Sequence, residues 1–362
     1  EYKKKKCKYL IVMGCLVQRY YTDLVKTLPE VDLFIKIDEY GEMWKKIQDL
    51  VEKNKVERST TKVVEKVSEI KQLPMPEFNE FYDRVVTTGK NYAYLKIGEG
   101  CSNRCTYCAI PYIRGPFVSR KKEDIIEEAK ELAKHGHKEI VLTGIHTGHY
   151  QNNGYDLTDL INELSKIDDI KRIRISSIEI TELNDKFLDM LKNNDKVCDH
   201  LHIPLQAGSD EILKRMNRKY DLAYYEEKIK KIRSIRPDIS ISTDIIVGFP
   251  YETEELFLNT LEFSKKIKFS KIHVFPYSVR VGTAAANMEE QVDEVVKKMR
   301  VKRLMAVSHM LEVDYYNKFK DKELDILIET CDNNVSEGHT SNYLLVSVPE
   351  NIKVGEIVRR KI

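Results

Sequence analysis

The chain has 362 residues, of which 42% are hydrophobic and 33% are charged, and its formal net charge is only +2. This composition is typical of a folded soluble protein with a sizeable core, and the length suits two or three domains. No run approaches the roughly 18 uninterrupted apolar residues of a membrane span, and the small net charge neither requires nor excludes a nucleic-acid partner.

The chain begins with EYKKKKCKYL, which lacks an initiator Met and the apolar stretch and cleavage site of a signal peptide. We therefore expect Glu1 to be an internal start. The cysteines are odd in number and unevenly spaced, which argues against a secreted disulfide framework and predicts a reducing, cytoplasmic location. They are Cys7, Cys15, Cys101, Cys105, Cys108, Cys198 and Cys331.

Residues 1–52 alternate short apolar strands with helices. The strands read KYLIVMG and VDLFIKI, and EMWKKIQDLVEK is an amphipathic helix with Trp44 and Ile47 on one side. This pattern predicts a small α/β layer that is too short for a complete doubly wound domain. Residues 53–90 are charged, contain two prolines, and are typical of a connector.

Residues 91–318 continue the alternation of strands and helices. The six strands read YAYLKIG, EIVLTG, IRISS, LHIPL, ISTDIIVGF and KIHVFPYS. Six β/α units predict a parallel sheet with right-handed crossovers. A complete barrel has eight such units, so six would form an incomplete barrel. Such an incomplete barrel would be open on one side and would admit a large substrate. Residues 319–362 change to short strands separated by turns, which favours a small β-barrel.

The segment CSNRCTYC puts Cys101, Cys105 and Cys108 in one loop, directly after the first strand of the alternating region. The carboxyl ends of such strands are where α/β proteins carry their sites. A structural zinc ion takes four ligands and a nucleophile needs one cysteine with a base, whereas this loop supplies three thiols. Three thiolates suit a four-iron cluster with one open iron; zinc and three incidental thiols are the alternatives.

This stretch resembles the cluster motif of the radical S-adenosylmethionine superfamily. The resemblance implies that Cys101, Cys105 and Cys108 are the catalytic centre and hold a four-iron four-sulfur cluster whose open iron binds S-adenosylmethionine. One-electron cleavage of that cofactor would give methionine and a 5′-deoxyadenosyl radical. We expect Tyr107 either to pack over the cluster or adenine or to belong to the core.

Four further stretches look like successive motifs of the methylthiotransferases, which are radical enzymes that insert sulfur and then a methyl group. They are LTGIHTGHY (142–150), IPLQAGSDEILKRMNRKY (203–220), DIIVGFPYETEE (244–255) and FPYSVRVGTAA (275–285), and the similarity runs over most of residues 8–362. The resemblance implies an incomplete (β/α)6 core of the TIM type, a partial N-terminal α/β domain and a C-terminal TRAM barrel.

VMGCLVQRY (12–20) resembles the last of three cysteine motifs in the family's N-terminal domain. The resemblance implies that Cys15 is a ligand of a second, auxiliary four-iron four-sulfur cluster, although a lone Cys15 would more often be a buried thiol. The family has two further ligands upstream, and we expect the chain to begin too late to contain them. Arg114 and Arg120 are expected at the surface, with contact to phosphate or to the S-adenosylmethionine carboxylate as the alternative.

The resemblance also implies an S-adenosylmethionine site. Gly144 would offer a backbone carbonyl to the methionine amine, and Glu179 would bond the ribose hydroxyls or be solvated. Gln206 and Ser209 lie where a helix is predicted to start, and its N–H groups would meet a carboxylate or ribose oxygen. Gly248 lies where adenine is expected. Each glycine has a simpler alternative as a tight turn or a packing point.

GHTSNYLLVSV and GEIVRRKI look like the TRAM module, an RNA-binding barrel, with Tyr343 for stacking and the cations of 359–361 for phosphate. Residues 319–362 hold six basic and eight acidic residues, a net charge of −2. RNA binding would therefore need a local patch shared with the core, and a capping domain that only stabilises the protein is the alternative. The core cations of that patch would be Lys214, Arg215, Arg218 and Lys219.

Within the family, one branch modifies isopentenyladenosine beside the tRNA anticodon, a second modifies threonylcarbamoyladenosine there, and a third modifies an aspartate of a ribosomal protein. VLTGIHTGHY and RIRISSIE look most like the second branch. We therefore expect a monomeric enzyme that binds the tRNA anticodon stem-loop and receives electrons from a flavodoxin or ferredoxin. A non-catalytic RNA-binding protein with a structural zinc ion in CSNRCTYC is the alternative from another class.

Overall fold

The computed structural model describes residues 7–53 and 91–362. These residues fall into two compact units. The first contains 7–53, 100–103 and 109–118, and the second contains 91–99, 104–108 and 119–362. The four-part division of the chain stays a prediction, and nearly all of its connector lies outside the described residues.

The first unit has two short parallel strands beside its helices. Strand β1 (Ile11–Met13) pairs in parallel with β2 (Leu33–Ile35). The helices are α1 (Cys15–Thr27), α2 (Met43–Lys53) and the short α3 (Ile110–Ile113), with a 3₁₀ turn at Ile37–Glu42. Strand, helix, strand and helix follow in the order that the apolar pattern predicts, but Trp44 is 67% exposed, unlike the half-buried Ile47 with which it was grouped.

The second unit contains six parallel strands. They are β3 (Tyr92–Lys96), β4 (Glu139–Thr143), β5 (Arg172–Ile175), β6 (His200–His202), β7 (Ser240–Val247) and β8 (Lys271–Pro276). Hydrogen bonds join neighbours in chain order into two three-stranded sheets, β3–β4–β5 and β6–β7–β8. A parallel bridge joins Ile173 of β5 to Val197, which precedes β6. The predicted strands and their parallel pairing are confirmed, while closure into one incomplete barrel stays a prediction.

Helices alternate with these strands and cover them. They are α4 (Lys122–Lys134), α5 (Leu157–Ser165), α6 (Asp185–Asn193), α7 (Asp210–Arg215), α8 (Leu222–Ile235), α9 (Glu254–Ile267) and α10 (Glu294–Asn317). In α4, Ile125, Ala129 and Leu132 recur at helical spacing and are buried against the strands, and Gly136 follows the helix with φ 93°. In the described part of the chain, no helix is long and apolar enough to cross a membrane.

The last segment of the second unit is an antiparallel sheet. Its strands are β9 (Glu323–Asp332), β10 (Val335–Thr340), β11 (Leu345–Val348) and β12 (Ile357–Lys361), in the order β11–β10–β9–β12. Asn333 and Asn334 both have positive φ, which suits the two-residue hairpin turn between β9 and β10. Phe319 and Ile326 centre a separate apolar cluster in this sheet. Closure of the sheet into a TRAM barrel stays a prediction.

Two buried arginines hold this sheet against strand β5. Arg172 donates to the carbonyl oxygens of His339 at 2.9 Å and Asp325 at 2.6 Å. Arg174 donates to the carbonyl oxygen of Ser341 at 3.1 Å and pairs with Glu139 at 2.7 Å. Because backbone carbonyls accept these bonds, the contact depends on the path of the sheet more than on its side chains.

Candidate active site

The backbone enters the cysteine loop through a glycine that no other residue could replace without strain. Gly100 has φ +78°, and a Cβ at this position would lie 2.2 Å from the carbonyl oxygen of Pro116. The next residue, Cys101, donates its N–H to the carbonyl oxygen of Gly115 at 3.1 Å. The start of the loop is therefore fixed by backbone contacts within the first unit.

The later part of the loop is held by the turn that follows α7. The Thr106 N–H donates to the carbonyl oxygen of Met216 at 3.1 Å, and its hydroxyl donates to that of Arg215 at 2.8 Å. Asn217, which has φ 59°, donates its side-chain amide to the carbonyl oxygen of Arg104 at 2.7 Å. The stretch 203–220, which resembles a family motif, thus contacts the cysteine loop directly.

Arg218 connects the loop to a carboxylate. Its Nη1 donates to Cys105 Sγ at 3.3 Å, and its Nη2 pairs with the carboxylate of Glu179. The Arg218 side chain is only 4% exposed. A charged donor at this distance stabilises negative charge on sulfur. The sequence-based prediction that Arg218 belongs to an RNA-binding patch is wrong, because burial and Glu179 withhold its charge from solvent.

Tyr107 belongs to a small apolar cluster. Its ring meets that of Phe249 edge to face, with 6.3 Å between centroids, and Met216 and Tyr277 belong to the same cluster. Burial is the main reason that the pKa of the Tyr107 hydroxyl is raised well above its ordinary value. Of the two roles expected for Tyr107, the structure favours the core role.

Cys15 begins helix α1 and is contacted by an arginine of the first unit. Arg114 donates from Nε and from Nη2 to Cys15 Sγ, at 3.0 and 2.9 Å. Sequence reasoning missed this pair because the two residues are 99 positions apart. Arg120 instead donates to the carbonyl oxygen of Lys96 and to the carboxylate of Glu128, both at 2.7 Å.

Two of the residues implied for S-adenosylmethionine lie just beyond strands β4 and β5. Gly144 directly follows β4, and a Cβ there would lie 3.4 Å from the carbonyl oxygen of Gly98, so space alone does not demand glycine. Glu179 precedes a 3₁₀ turn at Ile180–Glu182. Its carboxylate already pairs with Arg218, so Glu179 is not the solvated side chain that was the alternative.

Gln206 and Ser209 lie between β6 and α7. Gln206 has φ 69°, and its N–H donates to the carbonyl oxygen of Asp244 at 2.8 Å, which extends the pairing with β7. Ser209 is buried and directly precedes α7, where the carbonyl oxygen of Ser209 accepts the N–H of Leu213 at 2.9 Å. The predicted helix start is confirmed, and cofactor contact by these residues stays a prediction.

Gly248 has the packing role that was the alternative to adenine binding. Its φ is +73°, and a Cβ would lie 2.3 Å from Cγ of Lys297. Its N–H donates to Glu252 at 2.8 Å, and Glu252 pairs with the buried Arg300 at 2.8 Å. Sequence reasoning did not find this buried pair, because Arg300 lies on the distant helix α10.

Comparison with known proteins identifies the family. The sequence model of one protein family, the Radical SAM superfamily, matches residues 95–264. The ribosomal protein uS12 methylthiotransferase RimO of Alkaliphilus oremlandii (strain OhILAs) is 43% identical over 331 residues, which cover 91% of this chain and 72% of that protein. This chain belongs to the radical S-adenosylmethionine methylthiotransferase family.

Another methylthiotransferase relative carries a different substrate in its name. The threonylcarbamoyladenosine tRNA methylthiotransferase MtaB of Bacillus subtilis (strain 168) is 39% identical over 362 residues, which cover 98% of this chain and 78% of that protein. Among solved structures, the cobalamin-dependent S-adenosylmethionine radical enzyme OxsB aligns with a TM-score of 0.51 and 12% identity, over 83% of this chain and 43% of that one. The likeness to OxsB concerns the fold alone.

The donor set of the loop fits the cofactor of this methylthiotransferase family, which uses a four-iron four-sulfur cluster with S-adenosylmethionine. Cys101, Cys105 and Cys108 form no disulfide and are neither fully buried nor fully exposed. Thiolates are the usual ligands of such clusters. By contrast, burial raises the pKa of Cys198 to about 12, so Cys198 remains a protonated thiol. Because the chain belongs to an enzyme family, the alternative of a non-catalytic zinc protein loses its support.

A cavity of about 530 Å³ lies between the strands of the methylthiotransferase's second unit and its antiparallel sheet. Many of its lining residues carry polar side chains, and several rings take part. The lining includes Tyr94, Arg174, Ser176, His200, His202, Ser242, His273, His339, Asn342 and Tyr343. Sequence reasoning missed this cavity, because its residues come from strands that are far apart in the chain.

Proposed function

We propose that this methylthiotransferase modifies threonylcarbamoyladenosine beside the anticodon of tRNA. The relative that is named for this substrate, MtaB, is 39% identical and aligns with 98% of the chain, while RimO relatives align with 91% and 100% of it, so coverage does not separate the two branches. The motif-like stretches VLTGIHTGHY and RIRISSIE favour the threonylcarbamoyladenosine branch. The observation that carries the proposal is the identity with MtaB over nearly the whole chain. The polar side chains of the cavity bear only on the choice between the two tRNA branches.

The cavity chemistry supports a polar substrate group. His202, Ser242, His273 and Asn342 line the cavity with donors and acceptors. A threonylcarbamoyl group carries a carboxylate, a hydroxyl and amide N–H groups that can pair with them. An isopentenyl group has no such atoms and would leave buried polar groups unpaired, which a selective site penalises strongly. We therefore disfavour the isopentenyladenosine branch.

The aspartate of ribosomal protein uS12 is the competing substrate. The RimO relative is 43% identical to this chain, compared with 39% for MtaB, which favours the competing branch. An aspartate side chain is polar too, so the cavity chemistry does not separate these two substrates. The assay must therefore offer both.

The basic residues predicted to contact RNA are engaged in ion pairs on the antiparallel sheet. Arg360 pairs with Glu350 at 2.6 Å, and Lys361 pairs with Asp321 at 2.9 Å. Tyr343 is stacked on His339, with 4.7 Å between ring centroids. Exposed ion pairs contribute little to stability, so the phosphates of an anticodon stem-loop can displace them. We propose RNA binding through such exchange.

In the proposed active site, Cys101, Cys105 and Cys108 hold the core cluster. The cluster and S-adenosylmethionine, when bound, supply the one-electron chemistry that removes hydrogen from an unreactive aromatic C–H bond. Arg218 positions Cys105 and balances the charge of its sulfur, and Glu179 holds Arg218 in place. The later part of the cysteine loop and the motif around α7 thus hold each other in place.

Backbone groups are the best supported contacts to S-adenosylmethionine. Gly144, Gln206 and Ser209 lie beyond the carboxyl ends of strands, where such sites occur in α/β proteins. Glu179 and Gly248 have polar groups that already bond within the chain, so their contact to the cofactor needs an exchange of partners. We keep all five as the proposed site.

The remaining parts of the proposal concern sulfur insertion and the setting of the enzyme. We propose Cys15 as a ligand of an auxiliary cluster, with Arg114 orienting its thiolate. The two three-stranded sheets form one incomplete barrel. The enzyme consists of an N-terminal domain (1–52), a connector (53–90), a core (91–318) and a TRAM module (319–362). The enzyme is a cytoplasmic monomer reduced by a flavodoxin or ferredoxin.

Nucleoside mass spectrometry on a deletion strain tests the substrate. We expect the methylthio derivative of threonylcarbamoyladenosine to disappear from tRNA, to return with the wild-type gene, and to stay absent with a Cys105→Ala gene. Unchanged tRNA together with loss of a methylthio group from the uS12 aspartate would contradict the proposal and favour the competing branch.

A further inference from the structure

Three side chains on adjacent parallel strands converge inside the second unit. His202 ends β6, Asp244 lies in β7 and His273 lies in β8. Asp244 and His273 are direct neighbours in the register, and His202 is the neighbour of Ser242, two residues from Asp244 on the same face. One nitrogen of each imidazole and one carboxylate oxygen all lie within 4.8 Å of one another.

Ser242 fixes the orientation of this group. Its Oγ lies 3.0 Å from Nδ1 of His202 and 3.0 Å from Nε2 of His200. The hydroxyl can donate to His200 and accept from Nδ1–H of His202, which leaves the Nε2 lone pair of His202 facing the Asp244 carboxylate at 3.3 Å. In this tautomer two acceptors face each other, and a cation bound between them would satisfy both. A histidine oriented in this way through its second nitrogen is typical of metal sites.

The charges around the group leave room for a cation. Lys271, which lies two residues before His273 on β8, is paired with Glu312 at 2.6 Å, so its charge is balanced outside the group. The Asp244 carboxylate lies 3.3 Å from Nε2 of His202. A divalent cation here would therefore meet one carboxylate and two imidazole nitrogens.

We propose that His202, Asp244 and His273 bind a divalent first-row transition metal ion such as Mn²⁺, Fe²⁺ or Zn²⁺, separately from the iron–sulfur clusters. Two imidazoles and one carboxylate are a ligand set that holds such ions and leaves other coordination positions open. His202 and His273 line the cavity, so those positions face it and can take water or a substrate oxygen. The proposal does not depend on which substrate the enzyme modifies.

A second group of the same composition provides a matched comparison. His146 and His149 both approach Oε1 of Glu182 through Nε2, and their rings stack with 3.7 Å between centroids. The other oxygen of Glu182 accepts the N–H of Glu179 at 3.1 Å, so this carboxylate serves a 3₁₀ turn. This group does not belong to the lining of the 530 Å³ cavity, which favours the first group as the ion site.

Titration of the reconstituted holoenzyme with Mn²⁺ tests the site, because Mn²⁺ prefers nitrogen and oxygen ligands to thiolates. The electron paramagnetic resonance signal of free Mn²⁺ reports binding, and pulsed measurements report couplings to histidine nitrogen. We expect one ion per chain with two histidine couplings. Asp244→Asn and His273→Gln should weaken binding by at least about tenfold. His149→Gln is the matched control and should bind as the wild type does.

Wild-type protein without saturable Mn²⁺ binding, or binding without histidine couplings, would overturn the proposal without reliance on any variant. Equal affinity in Asp244→Asn and wild type would also overturn it. Loss of binding in His149→Gln with retention in Asp244→Asn would assign the ion to the other group. Circular dichroism of each variant establishes that it is folded before its affinity is compared.

Discussion

Arg218 and Cys105 are 113 positions apart in the chain, yet Nη1 of the arginine donates to Sγ of the cysteine at 3.3 Å. The same guanidinium pairs with Glu179, so a buried cation links the cluster loop to the turn after β5. Removal of one partner of a buried pair leaves the other charge uncompensated, which is more costly than removal of both. This asymmetry gives a direct test of the link.

Arg218→Met should lower the free energy of unfolding by about 3–5 kcal/mol, because Glu179 would stay buried without its partner. The double variant Arg218→Met/Glu179→Gln should recover most of that loss. Chemical denaturation of reconstituted protein, followed by circular dichroism, measures both. Arg215→Met is the matched control, since Arg215 lies one turn away in an exposed pair with Glu211 and should cost at most about 1 kcal/mol. Equal losses in the single and double variants would contradict the link.

Cys105→Ala should abolish the core cluster and the formation of 5′-deoxyadenosine. Three thiolates are the complete protein ligand set, and this loop offers no fourth thiol as a replacement. Iron analysis and chromatography after anaerobic reconstitution measure the two losses. Cys331→Ala is the control, because that thiol donates to Asn351 at 3.1 Å in the C-terminal sheet and should leave both properties intact. Product formation by Cys105→Ala would show that the loop is not the radical site.

Cys15→Ala in the full-length protein should separate two activities. Cleavage of S-adenosylmethionine should continue, because the core loop has its own ligands, whereas methylthiolation of substrate should fail. Arg114→Gln should act in the same direction but more weakly, since it removes the donors to Cys15 Sγ and keeps the thiol. Mass spectrometry of the substrate measures the product, with Arg120→Gln as the control. Wild-type methylthiolation by Cys15→Ala would reject the auxiliary-cluster role.

Acid should destabilise the protein partly through His200. Burial, with a further contribution from the charge of Arg174, lowers the pKa of His200 well below its ordinary value. A lowered folded-state pKa contributes stability that is present above about pH 6.5 and is lost as the pH falls, because the unfolded chain then binds the proton first. The loss amounts to about 1.4 kcal/mol for each pH unit below 6.5 until the folded-state pKa is reached.

His200→Asn should therefore show a smaller drop in unfolding free energy between pH 7.5 and pH 5.0 than wild type. The other histidines are common to both proteins, so the difference in slope isolates His200. Chemical denaturation at the two pH values provides the comparison. The same slope in both proteins would mean that His200 titrates normally in the folded state.

The sequence predicted the elements better than it predicted the contacts. The strands from Tyr92 to Pro276 follow apolar or alternating runs, and the apolar period of α4 with Gly136 after it defines that helix, because these signals are local. The three cysteines lie in one loop and are visible at once. Arg218, Arg114 and the polar cavity were missed or misassigned, since their partners come together only through the packing of distant elements.

The pairing of surface charges could not be predicted from the sequence either. The run Arg359–Lys361 is typical of a phosphate-binding patch, but each strand of an antiparallel sheet lies beside another, and acidic residues of neighbouring segments pair with Arg360 and Lys361. Composition gave the net charge of the segment correctly and could not give the pairing. The stacking of Tyr343 with His200 and His339 could not be predicted from the sequence either, because it depends on tertiary packing.

The most direct test of the account offers three substrates to the full-length enzyme under the same anaerobic conditions, with reductant, S-adenosylmethionine and a sulfur source. They are tRNA carrying threonylcarbamoyladenosine, tRNA carrying isopentenyladenosine, and ribosomal protein uS12. Mass spectrometry of nucleosides and peptides measures the methylthio product. We predict methylthiolation of the threonylcarbamoyl tRNA and little product from the other two. Preferential modification of the isopentenyl tRNA, or of the uS12 aspartate with tRNA unchanged, would contradict the proposed substrate.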